Sequence, residues 1–232
     1  MTVDVIIPAL NEEKALAAVL SALSHTAVRR VIVVDNGSTD NTAKVARLGG
    51  AKVVSEPRRG YGQAMSTGIE SVRDDPPQVV AFLDGDGADD PSFLPALLEP
   101  VLRGEADLVL GSRMRGRREQ GSMSPAQVVG NHVVPFLLRR LFGARCTDIG
   151  PMRVIRYDAL RRLDLQDRGM GFTVEMQIRA ALLGLRVMEV AVPYRRRIGR
   201  SKISGTVRGT VRATVGILAV ITRHLWAHNR RL

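Results

Sequence analysis

The chain is poor in cysteine, in aromatic side chains and in long apolar runs. Cys146 is the single cysteine of 232 residues, which excludes an intrachain disulfide and offers no metal-site spacing. It is expected as a small buried apolar residue. Phenylalanine, tyrosine and tryptophan make up only 4% of the chain, and no aromatic pattern interleaves the basic residues, so a base-stacking nucleic-acid surface is disfavoured. No apolar stretch reaches the ~18 to 20 residues of a membrane-crossing helix. No basic and apolar leader precedes Val5-Ile6-Ile7-Pro8, and the expectation is a cytoplasmic protein.

Acidic residues are scarce in the second half. Through Leu102 there are 9 basic and 14 acidic residues; from Arg103 onward there are 25 basic and 9 acidic, a net of +16. A field of that sign faces an anionic partner: nucleic acid, lipid head groups or a phosphorylated substrate. Apolar content of 45% and charged content of 25% are ordinary for a globular chain of one large domain.

What is present is organised around one stretch. Val79-Val80-Ala81-Phe82-Leu83 reads as a buried strand, and it runs straight into Asp84-Gly85-Asp86-Gly87-Ala88-Asp89-Asp90-Pro91. Carboxylates packed this closely repel one another unless a cation or an oriented ligand sits among them. An Asp-x-Asp pair at the carboxyl end of a core strand suits Mg²⁺ or Mn²⁺ bridged to phosphates, which points to Asp84 and Asp86. Asp89 and Asp90 fit a solvated turn equally well, with Asp90 and Pro91 opening the next helix.

Along the chain, strands alternate with helices. Asp4 to Pro8 is a strand, followed by a helix with Asn11 as its N-cap and Leu16, Val19, Leu20 and Leu23 on one face. Val31 to Val34 is the next strand, ending in the polar turn Asp35 to Thr42. A strand near Ala51 to Ser55 leads through Gly60-Tyr61-Gly62 to a helix from about Gln63 to Val72. Helix 91–102 and strand 107–110 deliver Gly111-Ser112-Arg113, whose guanidinium suits a phosphate. This pattern implies a mainly parallel sheet flanked by helices, with the loops at Pro8 to Glu12, Asp35 to Ser38 and Asp84 to Asp86 opening on one edge.

The segment 114–124 reads as a lid or a plain surface loop, and a helix from Ser124 to Phe142 is expected to be interrupted at Pro135. A tight turn at 148–153 precedes Val154-Ile155, a helix near 173–183 carries Glu175, and the strand Arg186 to Pro193 ends in Tyr194-Arg195-Arg196-Arg197. The basic loop Gly199 to Gly205 includes Lys202. The last segment, Thr206 to His228, is an amphipathic helix with Val207, Val211, Val215, Leu218 and Trp226 near one face. It fits either a lipid interface or docking on the domain with Trp226 in a pocket.

With these motifs in view the chain resembles family 2 glycosyltransferases of the GT-A fold, a Rossmann-like architecture, and among them the polyprenyl-phosphate and dolichyl-phosphate mannose and glucose synthases. The resemblance spans Val5 to about Gly205 and rests on the order of Ile7 to Glu13, Val33 to Asp40, Gly60-Tyr61-Gly62, Asp84-Gly85-Asp86, Gly111-Ser112-Arg113, 148–153, Glu175 and Gly199-Arg200-Ser201-Lys202. It implies one domain over 1–205, a donor half at 1–113 and an acceptor half at 114–205, with 206–232 as the amphipathic helix. It further implies that Pro8, Leu10, Glu12 and Asp35 hold the base and ribose of a UDP- or GDP-sugar, with Gly62 and Gly85 among the donor-binding positions. Asp84 and Asp86 would hold Mg²⁺ or Mn²⁺ and the diphosphate, and Arg113 and Lys202 would bind phosphates. Leu10 replaces a frequent aromatic residue, and Ala88 replaces a polar side chain that often completes the metal shell.

The implied reaction is inverting transfer of a hexose to a polyprenyl phosphate at the cytoplasmic membrane face. An acceptor of that kind needs a cationic seat, for which Arg113, Arg139, Arg200 and Lys202 are candidates. A glycan hydroxyl is the alternative acceptor and needs a base. Asp148 is the first candidate, with Asp89 and Glu175 behind it, while an Asp148–Arg153 structural ion pair is the competing role. Homo-oligomerisation is left open.

Overall fold

Ile6 and Ile7 are neighbours on the first strand, yet they lie in different hydrophobic cores. Ile6 packs with Met65, Phe82, Leu138 and Phe172, whereas Ile7 packs with Leu16, Leu20, Val33 and Leu97. Successive strand residues point to opposite faces, so a strand buried on both sides must be apolar at every position. Accordingly β1 (Val3–Ala9) is almost wholly buried. The computed structural model describes residues 1–199 and 207–229, with side chains described at 1–199 and 209–228.

Among the described residues seven strands form one sheet in the order β3-β2-β1-β4-β6-β5-β7. They are β1, β2 (Arg30–Asp35), β3 (Lys52–Ser55), β4 (Val79–Phe82), β5 (Leu108–Ser112), β6 (Arg153–Arg156) and β7 (Val187–Ala191). All pairings are parallel except those of β6, which runs antiparallel to both β4 and β5. The expected mainly parallel α/β sheet is therefore present, and it runs without a break through both expected halves of the domain.

Helices cover both faces: α1 (Glu13–Leu23), α2 (Thr42–Leu48) and α4 (Leu94–Leu102) on one, and α3 (Tyr61–Glu70), α5 (Pro125–Phe142), α6 (Tyr157–Leu163), α7 (Phe172–Leu182) and α8 (Val207–Asn229) on the other. The chain winds outward from β1 to β3 and then crosses to β4 on the other side of β1. That reversal opens a crevice at the carboxyl ends of β1 and β4, the place where such sheets bind ligands.

Local details depart from expectation at three points. Asn11 is not a cap: its φ of 53° puts it in the left-handed region, and its Oδ1 accepts from the Thr39 amide instead. Helix α5 continues through Pro135 to Phe142, held at its start by a Ser124–Gln127 capping box and ended by Gly143 at φ 68°. A buried face containing Val134, Pro135 and Leu138 outweighs the one lost hydrogen bond. Finally, α6 follows β6 directly, an element absent from the sequence reading. Asp90 does accept from the Ser92 amide with Pro91 next in line, as expected for that turn.

Candidate active site

The first two loops are laced into one wall. Register places Pro8 beside Val34 and Ala9 beside Asp35, so the ends of β1 and β2 arrive together. The Asn11 amide donates to Ser38 Oγ at 3.0 Å, the Ser38 amide to Asp35 Oδ1 at 2.9 Å, and the Glu12 amide to Thr42 Oγ1 at 2.8 Å. Pro8, Leu10, Glu12 and Asp35, the expected base and ribose contacts, are all partly exposed along this wall. Asn36 ties the next turn in: its Nδ2 donates to the carbonyls of Glu56 and Arg58, and its Oδ1 accepts from the Gly60 amide.

Gly62, expected to contact the donor, is pressed against a neighbouring backbone. A Cβ at Gly62 would lie 2.4 Å from the Asp167 carbonyl oxygen, and one at Gly60 2.4 Å from that of Arg168. The Gly62 and Gln63 amides donate to the Gly169 and Arg168 carbonyls. These glycines let two backbones touch, closing the turn against segment 167–169.

The acidic loop sits in the crevice. Gly85 is pressed against β1, where a Cβ would come 3.3 Å from Ile7 Cγ2. Among the described residues Asp84 Oδ1 and both carboxylate oxygens of Asp89 are buried and have no hydrogen-bond partner. Burial, with Asp86 and Asp89 alongside, pushes the Asp84 carboxyl well above the usual range. Burial pushes the Asp89 carboxyl up to about 7, with Arg113 opposing and Asp86 and Asp148 adding to the shift. Asp86 Oδ1 accepts from the Ala88 amide at 2.9 Å, while Oδ2 meets Arg197 Nη2 at 3.1 Å.

Arg197 arrives on a strap that crosses the loop. The Arg195 amide donates to the Ala88 carbonyl and the Ile198 amide to that of Asp86, each at 2.9 Å. Arg195 also pairs with Asp90. On its far side the strap bonds to segment 114–124: the Tyr194 amide donates to the Arg117 carbonyl, and the Glu119 amide to the Tyr194 carbonyl. Sequence reasoning placed Arg197 in a generic basic stretch and missed this contact, because no local pattern links it to a residue so distant in the chain.

Arg113 and Asp148 form a buried fork. Arg113 Nε lies 2.8 Å from Asp148 Oδ2 and Nη2 2.7 Å from Oδ1, with the Arg113 amide also donating to Oδ2. The Tyr194 ring stacks on the guanidinium at 4.8 Å. Two expectations change as a result. Asp148 is fully occupied by Arg113 and by the Ile149 amide, leaving it no free oxygen to accept a proton as a general base. The alternative to that role, an Asp148–Arg153 ion pair, does not form either. Arg153 is wholly buried and donates to the carbonyls of Gly150, Pro151 and Thr173.

Glu175 is likewise committed. It accepts from the Gln166 and Asp167 amides at 2.9 and 2.7 Å and from Arg223 Nη2 at 3.0 Å, anchoring α8 on the domain. Cys146 is buried, with its thiol pushed up to about 12 by burial and by Glu189 nearby, so it is inert packing as expected. Arg200 and Lys202 lie outside the described residues.

The orphaned oxygens of Asp84 and Asp89 are what a divalent cation would satisfy, and hard carboxylate donors fit Mg²⁺ or Mn²⁺. Among the described residues no three acidic, histidine or cysteine side chains gather around one point. A cation here needs ligand oxygens or water to finish its shell, consistent with Ala88 in place of a polar side chain.

Comparison with known proteins agrees with this geometry. Residues 4–164 match the family model described as glycosyl transferase family 2. The chain belongs to that family. This family 2 glycosyltransferase is 43% identical over 222 residues to an uncharacterised glycosyltransferase of Mycobacterium tuberculosis, covering 95% of this chain and 98% of that one. It is 33% identical over 221 residues to the undecaprenyl-phosphate mannosyltransferase of Micrococcus luteus, covering 90% of each. Among solved structures it resembles the glucosyl-3-phosphoglycerate synthase of Mycobacterium tuberculosis, crystallised with Mn²⁺, UDP and glucosyl-3-phosphoglycerate. That likeness has a TM-score of 0.73 at 25% identity and covers 95% of this chain and 80% of the other. The GT-A fold is thereby shown.

Proposed function

We propose that this glycosyltransferase moves a hexose, with inversion, from a UDP- or GDP-sugar to a polyprenyl phosphate at the cytoplasmic face of the membrane. The observation that carries the donor side is the set of buried carboxylate oxygens without partners at the switch point of the sheet. Asp84 and Asp86 are the residues that would hold Mg²⁺ or Mn²⁺, with ligand oxygens or water completing its shell. A cation held there would supply positive charge to offset the negative charge developing on a departing nucleoside diphosphate. Pro8, Leu10, Glu12 and Asp35 line the wall on which base and ribose would lie. Arg113, locked by Asp148 and stacked on Tyr194, presents a fixed positive charge beside Asp89 rather than a mobile phosphate clamp.

The acceptor side rests on the 33% identical undecaprenyl-phosphate mannosyltransferase and on the basic second half of the chain. A lipid phosphate is anionic near neutral pH and attacks without a strong base. Its cationic seat would come from Arg197, released from Asp86, together with Arg200 and Lys202. Asp89 favours a second reading, transfer to a glycan or glycolipid hydroxyl: its carboxyl is buried, has no hydrogen-bond partner among the described residues and is pushed up to about 7 by that burial, the properties of a general base.

The test begins with calorimetric titration of UDP and GDP, each with and without Mn²⁺, on the native chain and Asp86→Ala. One nucleotide binding only with metal and with Asp86 intact supports the donor site; metal-independent binding removes it. Labelled hexose from the matching donor is then offered to undecaprenyl phosphate. An organic-extractable, acid-labile product supports the lipid phosphate, whereas product only with hydroxyl acceptors supports the second reading.

A further inference from the structure

Helix α8 resolves its two expected roles by dividing them between its faces. Val220 and Ile221 are buried, and Ile217 and Leu225 partly so, against α7 and α5. The other face leaves Val211, Val215, Leu218 and Trp226 exposed, Trp226 by 59%, so the tryptophan is not in a pocket. The adjacent α5 does the same: Val129, Val133 and Phe136 are exposed by 61%, 48% and 58%, at the i, i+4 and i+7 positions of one helical stripe. Among the described residues, fourteen large apolar side chains are exposed, and half of them lie on these two helices.

The polar residues of the same helices decide what covers this surface. Neither α5 nor α8 contains an aspartate or glutamate, while Arg139, Arg140 and Arg212 are exposed on them; Arg223, also exposed, is spent on Glu175. Apolar side chains flanked only by positive charge suit a bilayer whose head groups are anionic. A water-facing helix would carry charges of both signs, and a self-associating face of this composition would bring like charges together.

We infer that α5 and α8 together form a bilayer-docking ridge, inserting Val129, Val133, Phe136, Val211, Val215, Leu218 and Trp226 among anionic head groups. The inference deepens the reading of a membrane-borne acceptor and rests on it, but it assigns the contact to two helices, of which α5 lies within the domain. The seat is built by the fold and needs no polyprenyl phosphate.

Trp226 is the only tryptophan of the chain and so reports on the ridge directly. The full chain is mixed with phosphatidylglycerol vesicles, and separately with phosphatidylcholine vesicles, both free of polyprenyl phosphate. Co-sedimentation with the anionic vesicles, a blue-shifted Trp226 emission and quenching by brominated acyl chains are expected. Phe136→Glu on α5 and Val215→Glu on α8 should each weaken binding by at least about tenfold. Leu48→Glu, at an exposed position on α2, should leave it unchanged. Circular dichroism melts confirm that the variants fold. Absence of vesicle binding, binding indifferent to head-group charge, or binding unaltered in Phe136→Glu overturns the proposal. So does a dimer in sedimentation equilibrium that the same substitutions dissolve. Because no acceptor is present, failure of the acceptor assay leaves the vesicle result standing, and the reverse also holds.

Discussion

Arg197 holds Asp86 by an ion pair of 3.1 Å, so one of the two carboxylates proposed to meet a cation is already paired within the chain itself. The pair is partly exposed, with 27% of the arginine side chain accessible. Cation binding to Asp86 has to compete with it.

Removing the competitor should therefore help the metal. For Arg197→Ala, a partly exposed pair worth about 1 kcal/mol translates into roughly fivefold tighter binding of Mn²⁺ alone. Isothermal titration without nucleotide measures this. Unchanged or weaker Mn²⁺ binding would mean that Arg197 does not stand in for the cation.

Asp148 should behave as a structural residue. Asp148→Ala strands the Arg113 guanidinium in a site from which water is excluded, and breaking one partner of a buried pair costs about 3–5 kcal/mol. Urea denaturation reads that loss. Replacing both partners, as Asp148→Ala with Arg113→Met, should recover part of it. Full stability in Asp148→Ala together with lost turnover would restore the general-base role.

The pH response of Asp89 runs opposite to that of a salt-bridged carboxylate. Burial pushes its carboxyl from the ordinary 3.8 up to about 7, so between those values the native chain holds a proton that the unfolded chain has lost. Its contribution therefore falls as pH rises across that window and is constant below it. Mn²⁺ reverses the balance, since the cation favours the ionised form and expels the proton. The Mn²⁺-induced rise in Tm should grow between about pH 5 and about pH 7.5, and Asp89→Asn should flatten the trend. A metal shift independent of pH in the native chain would place the ion elsewhere.

Gly62→Ala tests whether that turn serves a ligand or the chain. Its new methyl meets the Asp167 carbonyl at 2.4 Å, and two backbones must part to admit it. We expect a loss of about 1–3 kcal/mol in thermal or urea denaturation. If stability is unchanged and only nucleotide affinity falls, the glycine belongs to the donor site after all.

Much of this site was legible because strand ends announce themselves. Apolar runs such as Val79 to Leu83 stop abruptly at polar turns, and in a parallel sheet those turns share an edge. That Asp84, Asp86 and the turn at Asp35 open on one edge followed from that rule, while the role expected of Asp35 came from the family resemblance. The contacts that escaped are the ones made across the sheet order. Asp148 meets Arg113, 35 positions away, because β6 inserts between β4 and β5, and insertion of an antiparallel strand leaves no periodic mark. Asn11 and Pro135 misled for a local reason: each has a common role that tertiary contacts displaced.

The reversed direction of β6 has a consequence for remodelling the protein. A parallel strand brings only its final residue to the ligand edge, but β6 brings its first, Arg153, together with the turn that precedes it. The sheet thus gains a further loop at that edge without another crossover helix. Segment 143–152 carries the Asp148 that locks Arg113, so reshaping the rim of the site has to leave that pair in place, while the exposed positions Ser24, His25, Arg103 and Glu105 sit at the opposite edge and are the natural places to graft a tag or a tether.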